Sequence, residues 1–148
     1  MPLLDRLAAE IKAAMLARDA ARLSTLRLLK SAVGYAQLER KSDQLSDADV
    51  VAIVQKEVKK RRDSIEQFEQ GGRPELAAHE RAELTVLETF LPRALAPDEL
   101  EQLVRAVIQE LGATSKKDMG AVIKAVQARA AGAADGRSIS TLVGRLLP

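Results

Sequence analysis

Apolar residues in this chain recur at steps of three and four, and no segment sustains strict alternation with β-branched residues. Steps of three and four gather side chains on one face of an α-helix, whereas a half-buried strand needs every second residue. Leu4, Leu7, Ile11 and Met15 form the first such stripe, over residues 3–17. In the next stretch, about 20–40, Leu23, Leu26, Leu28, Leu29, Ala32, Val33, Tyr35 and Ala36 cover more than half of a helix circumference. The remainder holds Ser24, Arg27, Lys30, Ser31 and Gly34. A helix apolar over most of its girth is expected at the centre of its bundle.

Start and stop signals divide the rest. Asp19 is a cap for the helix over about 20–40, and Ser46 stands three residues before Asp49, a variant of the capping box. The helix after Ser46 is expected to run to about Gln70 and end at Gly71-Gly72. Pro74 opens a fourth, and "FLPRALAP" interrupts the pattern with Pro92 and Pro97. Pro97 opens a helix with Asp98 and Glu99 in its first turn, and that helix ends at Gly112. "SKKD" caps another from Ser115, bearing Met119, Val122, Ile123 and Val126, and a Gly/Asp turn precedes a last one from Ser138. The expected fold is all-α. An N-terminal bundle of about four helices (1–94) precedes a small C-terminal module of three (95–148). With Phe68, Phe90 and Tyr35 the only aromatics, the core must be built from Leu, Val, Ile and Ala. Ala and Leu rank among the best helix formers.

The absence of cysteine excludes disulfides, thiolate metal sites and cysteine nucleophiles. No apolar run reaches the length needed to cross a bilayer, and the N-terminus lacks a signal-peptide core. These features lead us to expect a cytoplasmic protein without a membrane partner.

Net charge is only +2, but its distribution is uneven. Residues 1–41 carry eight basic and four acidic side chains, 63–93 three and seven, and 112–148 six and two. The basic run "KEVKKRR" lies on the third helix, whose apolar stripe Val50, Val54, Val58, Ile65 and Phe68 passes through Arg61. Arg61 is therefore expected to point inward or to the edge of the packing seam, with Glu57 one turn away as an available ion-pair partner. Lys56, Lys59 and Lys60 fall on the opposite face and Arg62 on a flank, where a solvated surface and a nucleic-acid patch are both open readings. The C-terminal basic residues Lys116, Lys117, Lys124, Arg129 and Arg137, with helix N-termini at Ser115 and Ser138, suit phosphate contacts. No aromatic lies in 91–148 to stack on a base, so such contacts would position an RNA without reading it.

Several segments share their order and spacing with one family. "LRLLKSAVGYAQLER", "KEVKKRRDSIEQFEQGGRPELAAHE", "ELTVLETFLPRALAPDEL", "SKKDMGAVIKAV" and "GAADGRSISTLV" together resemble the YqeY-like family over nearly the whole chain. From about residue 95 the chain is also similar to the tail domain of the B subunit of glutamine-dependent aminoacyl-tRNA amidotransferase (GatB), with Ile123 where Met is usual. The resemblance implies a two-part helical fold and, from the amidotransferase tail, the holding of tRNA. It also carries the family-level label of carbon–nitrogen ligase activity with glutamine as amido-N-donor.

Nothing in the residues supports catalysis by this chain alone. His79 is the only histidine and lies among Glu75, Glu80 and Glu83, which reads as a surface position and not a metal site. Ser31, Ser64 and Ser138 have no evident base, and no Gly-rich phosphate loop occurs. Gly71-Gly72-Arg73 reads as a helix C-cap, with anion binding as the lesser option, and Gly120 is expected to allow close helix approach. No catalytic residue, metal or cofactor is expected. The leading expectation is a protein that binds tRNA or another structured RNA, not DNA, through Lys116, Lys117, Lys124, Arg129 and Arg137, with Lys59, Lys60 and Arg62 as a second patch. The alternative is a protein–protein adaptor for a translation or amidotransferase component.

Overall fold

The computed structural model describes all 148 residues and contains seven α-helices and no strand. They are α1 (Leu3–Leu16), α2 (Ala20–Arg40), α3 (Asp47–Gln70), α4 (Pro74–Glu88), α5 (Pro97–Leu111), α6 (Met119–Ala130) and α7 (Gly136–Leu146). Helix starts follow local chemistry. The Asp19 carboxylate accepts from Arg22 N–H, and Ser46 and Asp49 form a reciprocal box that satisfies two otherwise orphaned N–H groups. Pro74 and Pro97 occupy first turns, where a missing N–H costs nothing. After α3, Gly72 adopts φ 71° and Arg73 N–H returns to the Phe68 carbonyl at 2.8 Å, so the Gly71-Gly72 pair serves as a C-terminal turn.

Two starts differ from the sequence expectation. Ser115 caps a short 3-10 turn, Lys116–Asp118, and the α-helix proper begins at Met119. α7 begins at Gly136, two residues before Ser138, because the Asp135 side chain accepts from Ser138 N–H and takes the capping position.

Contacts divide the chain into two units, Met1–Leu91 and Pro92–Pro148. In the first, α1–α4 enclose Leu7, Ala14, Leu26, Leu29, Val33, Val50, Val54, Val58, Leu87 and Phe90. Met15, expected on the α1 stripe, is exposed, and Ala14 takes the buried position. α2 packs against α1, α3 and α4, as α3 packs against the other three, and the face of α2 bearing Leu28, Tyr35 and Leu38 stays in solvent, where its wide apolar girth had placed it at the centre of the bundle. In the second unit, α5, α6 and α7 pack pairwise around Val104, Val107, Val122, Val126, Ile139 and Val143. Leu95 N–H donates to the Ala133 carbonyl at 2.8 Å and ties the segment before α5 to this unit. No helix is long and apolar enough to cross a membrane.

Arg61 points inward, one of the two positions that its place on the stripe allows. It is 9% exposed; its Nη1 donates to Glu57 Oε1 at 2.8 Å and its Nε to Glu83 Oε2 at 3.2 Å. Glu83, on α4, is a partner that helical spacing on α3 does not reveal. Burial raises the Glu57 carboxyl, but hydrogen bonds and charge from Lys60 and Arg61 outweigh it and hold Glu57 below its ordinary range.

Candidate nucleic-acid interface

The eight basic residues singled out from sequence meet different fates. In α6, Val122 and Val126 turn inward, which leaves Gly120, Ala121, Lys124, Gln127 and Ala128 exposed. Lys117 lies in the preceding 3-10 turn and Arg137 in the first turn of α7; both are exposed. Lys117, Lys124 and Arg137 have no carboxylate within ion-pair distance. Their charge is available to an external anion.

Lys116 and Arg129 are engaged within the fold. The Lys116 ammonium donates to the carbonyl of Gly144 and, at 3.0 Å, to that of Leu147. It thus closes the C-terminus of α7, where carbonyls lack intrahelical partners and a cation is favoured. The Arg129 guanidinium makes a two-pronged contact with Glu110, with Nη1 3.1 Å from Oε1 and Nη2 closing on Oε2. Arg129 holds Glu110 below the usual carboxylate range, and Glu110 in turn raises Arg129. Nothing local signals this pair, since 19 residues separate its members.

The helix N-termini expected to greet phosphates already hold carboxylates. Asp118 accepts from Thr114 N–H at 3.0 Å and from Ser115 N–H, and Asp135 accepts from Ser138 N–H at 2.7 Å. Gly120 also departs from expectation. A Cβ there would meet nothing within 4 Å, so no helix approaches it closely, whereas a Cβ at Gly144 would touch Met119 Cε at 3.4 Å.

On α3, Lys60 pairs with Glu57 at 2.9 Å, and Arg62 is exposed but has an interaction of its own. Lys59 is exposed without an acidic partner. His79 is exposed, with Nε2 3.4 Å from Glu83 Oε1.

A family model described as Yqey-like protein matches residues 4–147. The chain belongs to the YqeY-like family. Among curated proteins, this YqeY-like chain is 27% identical to "Altered inheritance of mitochondria protein 41, mitochondrial" of Vanderwaltozyma polyspora, over 69% of its own length and 56% of the relative's. The protein of the same name in Pyrenophora tritici-repentis is 28% identical over 86% of this chain and 72% of that protein. An uncharacterized protein of Schizosaccharomyces pombe is 38% identical over 47% of this chain and 55% of the relative. The YqeY-like chain thus spans little more than half of some of the curated relatives it matches.

These names overturn the cytoplasmic expectation, since relatives from several species are named as mitochondrial. The expectation rested on missing cysteines and on the lack of a membrane-length run and a signal-peptide core, none of which chooses among compartments.

Proposed function

We propose that this YqeY-like protein binds tRNA or another structured RNA through phosphate contacts made by the Pro92–Pro148 unit, and has no catalytic chemistry of its own. One observation carries the reading: Lys117, Lys124 and Arg137 keep their charge free, while Arg129 is paired with Glu110 and Lys116 is held by the Gly144 and Leu147 carbonyls. The face around Lys124 is bare, because Gly120, Ala121 and Ala128 offer little side chain, so a sugar–phosphate backbone can come close. Similarity of this unit to the tRNA-holding tail of the amidotransferase supports the same reading. Lys59 is the member of the second patch best placed to add a contact.

Binding of this kind positions an RNA and does not read it, since the unit has no aromatic to stack on a base. Filter binding of bulk tRNA to the full chain over a salt series tests it. With three to four phosphates engaged, the slope of log affinity against log salt is expected near about −3. The double reversal Lys117→Glu/Lys124→Glu is expected to weaken binding by about tenfold or more, equally across tRNA species. A flat salt response, or full binding by the double variant, sinks the proposal.

The adaptor reading is favoured by a different observation, the uncovered face of α2.

A further inference from the structure

Within the Met1–Leu91 unit, none of α1, α3 and α4 covers the outward face of α2. Leu28, Tyr35 and Leu38 are 46%, 73% and 76% exposed, while Leu26, Leu29 and Val33 on the opposite side are buried. Helical spacing sets the exposed three on one side with Ser24 and Ser31. Two open grooves lie end to end along this face. The first, of about 370 Å³, is lined by Ala20, Leu23, Ser24, Arg27, Leu28 and Ser31. The second, of about 320 Å³, is lined by Gly34, Gln37, Leu38, Lys41, Ser42 and Asp43. Gly34 sits mid-helix, where glycine weakens the helix, yet a Cβ there would meet nothing within 4 Å. Packing within the chain does not require a glycine at this position. What it does is leave the α2 backbone bare in the wall of the second groove.

Charge narrows the occupant. Arg27 and Lys30 share one edge of the face, Lys41 follows at the C-cap of α2, and none of the three has a carboxylate partner. The acids nearby, Glu39 and Asp43, sit at its C-terminal end, Glu39 toward the other edge. An antiparallel two-fold pairing of α2 with a second copy would bring the basic edge against itself. RNA would satisfy the cations but leave Leu28 and Leu38 uncovered. A helix that is apolar on one face and acidic beside it satisfies both.

We propose that the outer face of α2 docks an acidic amphipathic helix of a partner protein, with apolar side chains against Leu28, Tyr35 and Leu38 and carboxylates along Arg27 and Lys30, toward Lys41 at the end of the helix. From Ala20 to Leu38 the face is roughly 27 Å long, so it accommodates about five helical turns. This gives the adaptor reading its surface and its partner chemistry, and it is independent of RNA binding by the second unit.

Tyr35 supplies the readout, being the only tyrosine in a chain without tryptophan. The probe is a five-turn synthetic helix with leucines at helical spacing, glutamates on the flanks and neither Tyr nor Trp; a control peptide carries Lys at each Glu position. The acidic peptide is expected to change Tyr35 emission saturably in the full chain, and the basic one to bind about tenfold more weakly or worse. Arg27→Glu/Lys30→Glu should reverse that preference, and Leu28→Ser/Leu38→Ser should abolish the response to the acidic peptide. All four side chains are exposed, and unchanged thermal melts would show that the variants stay folded. Equal response to the two peptides, or none to either, overturns the proposal. So does Tyr35 emission that tracks protein concentration with a dimer in sedimentation, which assigns the face to a second copy. Displacement of the acidic peptide by tRNA in the Lys117→Glu/Lys124→Glu background assigns it to RNA. Because those reversals leave α2 untouched, loss of RNA binding and loss of peptide binding are read separately.

Discussion

Arg61 on α3 and Glu83 on α4 join their helices through a 3.2 Å contact, 22 residues apart in sequence. The same guanidinium holds Glu57 at 2.8 Å, so two carboxylates share one buried cation. Arg61→Ala would leave Glu57 with Lys60 as its one cation and Glu83 with only the exposed His79 nearby, and the expected loss is about 2 kcal/mol. Lys60→Ala should cost under about 0.5 kcal/mol, since Lys60 is largely in solvent. Urea unfolding midpoints compare the two directly. Equal midpoints would show that Arg61 is an ordinary surface charge.

Acid should unfold the protein partly through Glu57. Its carboxyl lies below the ordinary range in the folded chain, so the folded state favours the ionised form. The stabilisation is complete above the unfolded value, about 4.3, and is lost as pH falls through the lower folded value. Urea midpoints measured from pH 6 downward should therefore decline below about pH 4. Glu57→Gln, which cannot titrate, is expected to start less stable and to fall less steeply over that window. Parallel curves for wild type and variant would remove Glu57 from the acid response.

Neighbouring lysines should behave oppositely. Lys116 closes α7 by donating to the Gly144 and Leu147 carbonyls, so Lys116→Ala should destabilise the chain by about 1 kcal/mol. Lys117 has no such partner, and Lys117→Ala should leave the thermal midpoint unchanged while weakening tRNA binding. If Lys117→Ala shifts the melt as far as Lys116→Ala does, the division between structural and available charge fails.

Residues 92–148 should fold as an isolated fragment. They hold their own core, with Val104, Val107, Val122, Val126, Ile139 and Val143 all at 0% exposure. Marginal stability is expected, because a chain of this size buries a modest share of its surface. Circular dichroism should show helix and a cooperative melt below that of the full chain; a featureless melt would show that the unit depends on the rest of the protein.

The helices and several of their caps were legible in the sequence because they depend on neighbours within a few residues. Asp19, Ser46 with Asp49, and the Gly71-Gly72 turn act through local backbone geometry, which order along the chain dictates. The place of Arg61 was legible for the same reason, since period alone puts it on the Val54–Val58–Ile65 stripe. Where local competition was close, sequence misplaced the start: Asp135 outcompeted Ser138 as the cap of α7. Tertiary structure alone decided which charges remain available. Glu110 reaches Arg129 and Glu83 reaches Arg61 across 19 and 22 residues, and Lys116 finds carbonyls 28 and 31 residues away. It also decided that Leu28, Tyr35 and Leu38 stay in solvent, although their spacing reads as a core-facing surface. A helix's apolar pattern fixes which residues share a face, whereas what covers that face depends on where the other helices pack.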